Sequence, residues 1–421
     1  MDKLFEISIK NFFFKRNDLF GENSKFLKFN ISKNNTLSLG DNSSIIFGQL
    51  EYEENGKKKS TNALCVKLMP VIVNYKSCNV SCFMNEICFY VKMLSFFESV
   101  NVKSDLFAKF YDGGVEINEK GEHAIMITED LIKAGFVNSG QQVFLDYVHL
   151  ALMMRKLGEF HALSYKARKA NPNMFFSLAM CFTSTIYSVI SDFFSVTKKN
   201  INIVLQELRN DPKYSTKLKV IEKMSENASA YIMESVKRFW NKPNSVISHL
   251  YYSPANVLFQ YKNDVPIDLK ILDLTYCQLT SPGVDISFVL YFNADQRMRN
   301  EHWNDLIDEY YNGLSKSCSV NEIPTKEWIN DEVNGFSHLY GIIFAVSYLP
   351  FVISKERDFV TNKKKWSEIL SKCGVDPSDT NISASDKISS VIGLKQITDV
   401  FKDAIDRGFF QNYEQIQLCF H

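Results

Sequence analysis

A lysine set inside an apolar run, with a carboxylate on the next segment, is the first feature of this chain that could do chemistry. Lys67 lies in Ala63-Leu64-Cys65-Val66-Lys67-Leu68-Met69, and Glu86 in Phe83-Met84-Asn85-Glu86-Ile87-Cys88. A lysine in the middle of an apolar strand is costly to bury unless paired, so a Lys67–Glu86 ion pair is expected; the alternative is a surface lysine on an edge strand. A cation held in this way suits phosphate oxygens. Gly40-Asp41-Asn42-Ser43-Ser44, just upstream, could offer backbone N–H groups to the same phosphates, or be a plain hairpin turn. A second stretch, Ser245 to Leu274, gathers His249, Asn256, Asp268 and Asp273 among short apolar runs.

The elements that must position these residues follow from periodicity. Leu37 and Leu39, then Ile45 to Tyr52, read as strands around the Gly40–Ser43 turn. A polar tip, Glu53 to Lys59, leads into the strand that carries Lys67. Asn85 to Phe97 has helical spacing at Ile87, Val91 and Leu94. Phe107–Tyr111 and His123–Thr128 read as two further strands, and Glu129-Asp130-Leu131 leaves the last. This gives five strands and one helix, ending near residue 130. Residues 1 to about 30 show no clear periodicity. Beyond 130 the chain reads as helical: a long amphipathic stretch over Asp146–Ala167, several helices over Met174–Asn241, and helices from Asp285 onward. Ser245–Leu279 interrupts this with short strands and a loop, and residues 371 to 387 read as an exposed loop.

Bulk properties set limits. At 421 residues the chain can build substantial cores. Its 48 basic and 48 acidic residues cancel, which argues against a nucleic-acid binder that coats phosphates. The 34 Phe and 19 Tyr fit well-filled cores, or an aromatic-lined pocket for a flat apolar ligand. Nine Cys without Cys-x-x-Cys spacing fit reduced thiols of a cytoplasmic protein rather than zinc sites. The N-terminus has no apolar h-region. The longest apolar stretch, Tyr340–Ile353, falls short of the roughly 18 residues a membrane span needs, so no membrane span is expected and the stretch reads as a buried helix.

A small sheet unit followed by a helical unit with a strand-loop insertion is the pattern of an α+β, protein kinase-like two-lobed fold: a β-rich nucleotide-binding lobe over 1–130 and a helical lobe over 131–421, with a catalytic-loop-like segment at 245–285. The chain resembles the ecdysteroid kinase-like (CHK kinase-like) family, a mainly insect and nematode relative of choline and aminoglycoside kinases. That family carries His-Gly-Asp-x-Trp-x-x-Asn and then Asp-Phe. Here His249, Asn256 and Asp273 match, and Ser281-Pro282-Gly283-Val284-Asp285 matches its Ser-Pro-x-x-Asp. Val66-Lys67-Leu68-Met69-Pro70, Ile127-Thr128-Glu129-Asp130-Leu131, Leu157-Gly158-Glu159-Phe160-His161-Ala162 and Asp406-Arg407-Gly408 are similar to family segments in the same order, from about residue 35 to 415.

The resemblance implies ATP and Mg²⁺ as cofactors. Gly40, Asn42, Lys67, Glu86 and Glu129 would serve the nucleotide, and Asn256 and Asp273 would be the few oxygen ligands that Mg²⁺ takes from protein. It implies structural roles for His249, His161 and Asp285, the last holding the His249–Asn256 loop. The departures are specific. Leu250 replaces the Gly, Tyr251 the catalytic Asp and Ser253 the Trp, and no carboxylate lies within Ile247–Leu258. A phenol with a pKa of about 10 is a donor at neutral pH and cannot act as the anionic base. Leu250 is expected to bar backbone conformations open to Gly. Two readings follow: a pseudokinase that keeps ATP and Mg²⁺ and acts as a binding or regulatory protein, or a kinase of a small hydroxylated apolar ligand such as a steroid, with an unusual base. A scaffold that binds no nucleotide is a third.

Overall fold

The computed structural model describes residues 3–21, 23–39, 43–71, 78–118, 121–141, 143–182, 186–237, 242–359 and 385–410. Gly40 and Asn42 lie outside the described residues, as does most of the loop expected over 371–387, whose last three residues open a helix.

The chain starts with helix α1 (Lys3–Lys15), which the sequence did not announce. Phe5, Ile9 and Phe12 recur at helical spacing, but the run Phe12-Phe13-Phe14 blurs the stripe. An antiparallel sheet follows: β1 (Lys25–Leu39), β2 (Ser43–Glu54), β3 (Lys57–Ser60) and β4 (Leu64–Val71). Helix α2 (Cys78–Cys88) then precedes β5 (Phe110–Asn118) and β6 (Gly121–Glu129). Strand order is β1-β2-β4-β6-β5, with β3 paired to β2, so the expected five strands are six. The extra strand is the polar Lys57–Ser60, fully exposed on its partner β2.

Alternation along β4 gives the sheet two different faces. Leu64 and Val66 join Ile46, Leu50, Ile125 and Ile127 beneath Phe5, Ile9, Phe12 and Phe13 of α1, forming one core. Ala124 and Met126 point the other way, with Phe83 and Ile87 of α2, into a core continuous with the helical lobe. Lys67, one residue on from Val66 and paired with Ile45 and Met126, belongs to that second face. The period of two therefore decides that Lys67 looks toward the helical lobe.

The helical lobe is built on α3 (Tyr147–Ala170), whose first turn is capped by Asp146 accepting from the His149 N–H at 3.0 Å. Buried residues fall on nearly every side of α3, so it is a central helix rather than the amphipathic one expected. Around it lie α4 (Pro172–Ala179), α5 (Ile186–Arg209) and α6 (Leu218–Lys237). Two short antiparallel pairs interrupt the helices: β7 (Val246–Ser248) with β10 (Gln278–Thr280), and β8 (Val257–Lys262) with β9 (Val265–Ile271). The β8–β9 turn places Asn263 and Asp264 at φ 53° and 61°, a conformation these two residue types tolerate best among side-chain-bearing residues. Helices α7 (Pro282–Phe288), α8 (Gln296–Ser317), α9 (His338–Phe359) and α10 (Ser385–Asp406) complete the lobe. Helix α8 crosses α3 where Gly158 meets Gly313, and a Cβ on either would collide with the other helix's backbone. No helix among the described residues is long and apolar enough to cross a membrane.

Candidate functional site

Lys67 and Glu86 meet where β4 faces α2. The Lys67 Nζ stands 2.6 Å from Glu86 Oε2 and 3.5 Å from Asp273 Oδ1. Burial works against the ammonium, but Glu86 and then Asp273 outweigh it and hold the Lys67 pKa above its ordinary value. Burial pushes the Glu86 carboxyl up, against the pull of Lys67. With an ammonium at 2.6 Å we take the pair as ionised, because a buried lysine stays charged through such a partner. Helix α2 is also tied to the chain after Asp273: the Asn85 amide donates to the Thr275 carbonyl at 3.1 Å, and Glu86 accepts from the Leu274 N–H. Sequence reasoning missed Asn85; its one signal is a polar residue on a helix face otherwise apolar.

The segment between β7 and β8 is held from below by Asp285. Ser281 caps α7, accepting from the Gly283 N–H at 3.1 Å, with Pro282 at the first helical position. That start puts Asp285 in the first turn, fully buried. Its two oxygens each accept a backbone N–H at 2.7 Å, Oδ2 from His249 and Oδ1 from Leu250. His161 on α3 donates from Nε2 to Oδ2 at 3.1 Å and accepts from the Tyr310 hydroxyl at 2.9 Å through Nδ1. The close approach of α3 and α8 at Gly158 and Gly313 brings those two rings together.

His249 takes a defined tautomer. Its Nε2 faces the Leu272 carbonyl at 2.8 Å, which can only accept, so Nε2 carries the hydrogen and Nδ1 accepts the Tyr251 N–H at 3.2 Å. The ring thus braces the loop against the strand leading to Asp273. Leu250 adopts φ 66°, the left-handed conformation expected to be closed to it. The reason lies in its partners: Asp285 fixes its N–H, and the Tyr340 hydroxyl of α9 donates to its carbonyl at 2.6 Å. Nothing in the local sequence pointed to Tyr340, which lies 90 residues away in an apolar helix.

Asn256 ends a short 3-10 turn opened by Pro254. Its Nδ2 donates to the Tyr251 carbonyl at 2.9 Å, which turns Oδ1 away from that carbonyl, and its backbone carbonyl accepts from the Leu272 N–H at 2.9 Å. Asn256 and Asp273 are therefore brought side by side through Leu272. Asp273 has φ 57° and a side chain 35% exposed. Glu129 sits at the end of β6, and its Oε1 accepts from the Lys109 N–H at 2.8 Å. Its carboxylate is thus engaged with backbone at the link between lobes, where the Asp130 N–H also donates to the Ala63 carbonyl.

The half-buried Tyr251 ring turns into an aromatic cluster. Its centroid lies 5.6 Å from Phe288, 6.1 Å from Tyr276, and 6.3 Å from both Phe292 and Tyr348. Burial, and then the nearby Asp273 carboxylate, push its pKa up to about 12.

The model of the ecdysteroid kinase-like family matches residues 40–321, more than half of the sequence. The chain belongs to the ecdysteroid kinase-like family. The match takes in Lys67, Glu86, the Asp285-braced loop, Asn256 and Asp273. It stops at 321, short of the residue 415 to which the motif resemblance runs. Among solved structures, this family member is similar to an amicoumacin kinase in complex with AMP-PNP and Ca²⁺: 12% identity, 93% of this chain and 96% of that one covered, TM-score 0.40. It is likewise similar to the GDP complex of an aminoglycoside 2'-phosphotransferase, at 10% identity, 94% and 99% coverage and TM-score 0.37. No curated protein matches it.

Proposed function

We propose that this ecdysteroid kinase-like protein is a pseudokinase, which binds ATP with Mg²⁺ and acts as a binding or regulatory protein. The observation that carries the reading is Tyr251. At the position of the family's catalytic Asp it is a neutral phenol, its pKa raised to about 12, so at neutral pH it donates a hydrogen bond and cannot take the proton of an acceptor hydroxyl. General-base assistance contributes about 10² to 10⁴ in rate. Its loss leaves slow transfer at most, because the rest of phosphoryl transfer rests on positioning and electrostatics.

The donor set fits the nucleotide and its metal. Lys67, kept charged between Glu86 and Asp273, is a cation available to phosphate oxygens. Asn256 Oδ1 and the partly exposed Asp273 carboxylate are hard oxygen donors of the type Mg²⁺ prefers. Bound Mg²⁺ would supply charge neutralisation to the phosphates; Glu86 would orient Lys67, and Gly40 and Asn42 would add backbone contacts. The second reading, a kinase of a flat hydroxylated apolar molecule such as a steroid, rests on the partly buried Tyr251, Tyr276 and Tyr348 rings, since Phe288 and Phe292 of the same cluster are core residues.

Two measurements test this. ATP with Mg²⁺ raises the melting temperature, since a ligand at a hundredfold excess over its Kd stabilises the folded state by about 2.7 kcal/mol, and Asp273→Ala removes the Mg²⁺-dependent part. No shift at millimolar ATP leaves the scaffold reading. In a turnover assay against hydroxylated steroids and small alcohols, the unaltered protein stays near background and the double variant Leu250→Gly, Tyr251→Asp gains activity. Turnover by the unaltered protein at about 1 to 100 s⁻¹ would overturn the pseudokinase reading.

A further inference from the structure

Two free cysteines lie about Lys92 where α2 leaves the sheet lobe. Cys88 closes α2 two residues beyond Glu86, and Lys92 follows four residues later, on the same helical face, in the π-helical turn Phe89–Leu94. Helix α4 packs on that turn with Cα atoms within 8 Å, and the chain leaving α4 presents Cys181. Cys181 is exposed, Cys88 is half-buried, and neither is in a disulfide. The Lys92 Nζ lies 4.0 Å from Cys181 Sγ, which also donates to the Ser177 carbonyl at 3.6 Å. Cys181 Sγ therefore lies against the side chain that stands one helical turn beyond Cys88. Two other cysteines near the sheet–helix junction, Cys82 and Cys277, are buried.

We propose that Cys88 and Cys181 form a peroxide-responsive disulfide that ties α2, and with it Glu86, to the helical lobe. A reactive thiol is exposed, has a cation at hand to favour the thiolate, and stands next to a resolving thiol. Cys181 is exposed, with the Lys92 ammonium 4.0 Å away and Cys88 one helical turn from that lysine. Burial pushes the Cys88 thiol up, an effect Lys92 partly offsets, which suits the second step rather than the first.

In the first step the Cys181 thiolate attacks one oxygen of hydrogen peroxide. The O–O bond breaks, Cys181 becomes a sulfenic acid, and the departing hydroxide leaves as water with the proton released when the thiol ionised. In the second, the Cys88 sulfur attacks the Cys181 sulfur, the S–O bond breaks as S–S forms, and the hydroxyl leaves with the Cys88 proton as a second water. Two thiols and one peroxide give one disulfide and two waters. Sulfur loses two electrons and peroxide gains them.

The consequence concerns the Lys67–Glu86 pair. Residues 86 and 88 share the last turn of α2, so a bond from Cys88 to the chain after α4 fixes Glu86 relative to the lobe that carries Asp273. The proposal does not depend on phosphotransfer, and its test reads chemistry at sulfur.

The full chain is treated with hydrogen peroxide, its remaining thiols are blocked, and it is digested without reductant for mass spectrometry. The expected product is a peptide pair joined through Cys88 and Cys181, lost on adding dithiothreitol, with two of the nine cysteines consumed. Cys181→Ser abolishes the link and leaves Cys88 reduced. Cys88→Ser stops at the Cys181 sulfenic acid, which dimedone captures, and Lys92→Met slows the first step. Because linkage is mapped first in the unaltered protein, a variant that folds poorly does not decide the outcome. Absence of the Cys88–Cys181 peptide at peroxide doses that oxidise methionine overturns the proposal, as does linkage of Cys181 to another cysteine in its place.

Discussion

Leu250 offers a comparison in which the sign of an effect is at stake. The residue is 1% exposed and holds φ 66°, a conformation that costs an L-residue roughly 1–2 kcal/mol. Leu250→Ala deletes a buried side chain, a loss of roughly 3–5 kcal/mol, and keeps the strained backbone. Leu250→Gly deletes the same side chain but relieves the strain, while giving back about 0.4–1 kcal/mol through the freer unfolded chain. The cavity left behind is nearly the same in both, so it cancels in the comparison. Gly is therefore expected to be more stable than Ala by about 1 kcal/mol, the reverse of the order at ordinary positions, with both below the parent. Urea unfolding of the three proteins measures this directly. If Ala proves as stable as Gly, Leu250 is not held in the left-handed conformation, and the account of Asp285 and Tyr340 as the groups that force it fails.

Three further outcomes are expected. Asp285→Ala strands the N–H groups of His249 and Leu250 and unpairs His161 in a fully buried place, so unfolding should show a loss of roughly 3–5 kcal/mol; a loss below about 1 kcal/mol would contradict the bracing role. Lys67→Met leaves Glu86 buried without its cation, so it should cost more than the paired change Lys67→Met, Glu86→Leu. A double-mutant cycle should give a coupling of at least about 1 kcal/mol, and additivity within error would deny the ion pair. His338 on α9 is buried against Phe409, and burial, against a weaker opposite pull from the Gly335 backbone, lowers its pKa to about 3. Below an unfolded value near 6.5 the unfolded chain binds the extra proton, so stability present above pH 6.5 falls as pH drops toward 3, by roughly 1.4 kcal/mol per pH unit. His338→Phe should flatten that acid limb, measured as melting temperature against pH, and an unchanged slope would show that the ring is not buried neutral.

What could be read in the sequence was what depends on near neighbours. Lys67 stood out because a charge interrupts an apolar strand, and the two-residue period of β4 then fixed which face it takes. The start of α3 was legible from the long stretch of apolar residues that begins after Asp146, and the two short strands β8 and β9 because Asn263-Asp264 marks their turn. Helix α1 was not legible, since three consecutive phenylalanines erase the contrast between its faces until the sheet beneath selects one. The left-handed backbone at Leu250 was hidden for a different reason. Its cause is a carboxylate 35 residues away and a phenol 90 residues away, and no local pattern encodes partners at that separation. Asn256 and Asp273 came from motif spacing, and their adjacency depends on the hydrogen bond from Leu272 that closes the β8–β9 hairpin.

The loop between β7 and β8 keeps its course without help from the side chain at 251. Asp285 binds backbone N–H groups, Tyr340 a backbone carbonyl, and Asn256 the carbonyl of Tyr251 itself. Each of these contacts is indifferent to whether residue 251 carries a carboxylate or a phenol. Exchange of the base therefore does not require the loop to be rebuilt, and a chain can lose the proton acceptor while Lys67, Glu86 and Asp273 remain assembled. The phenol is then accommodated on its own terms. Four aromatic rings within 6.3 Å surround it; two of them, Tyr276 and Phe288, are edge-on, and such pairs contribute about 0.5–1.5 kcal/mol each beyond burial. A carboxylate at the same place would face those rings without a hydrogen-bond donor among them other than tyrosine hydroxyls. The aromatic cluster and Tyr251 thus form one packing unit, separate from the backbone contacts that hold the loop.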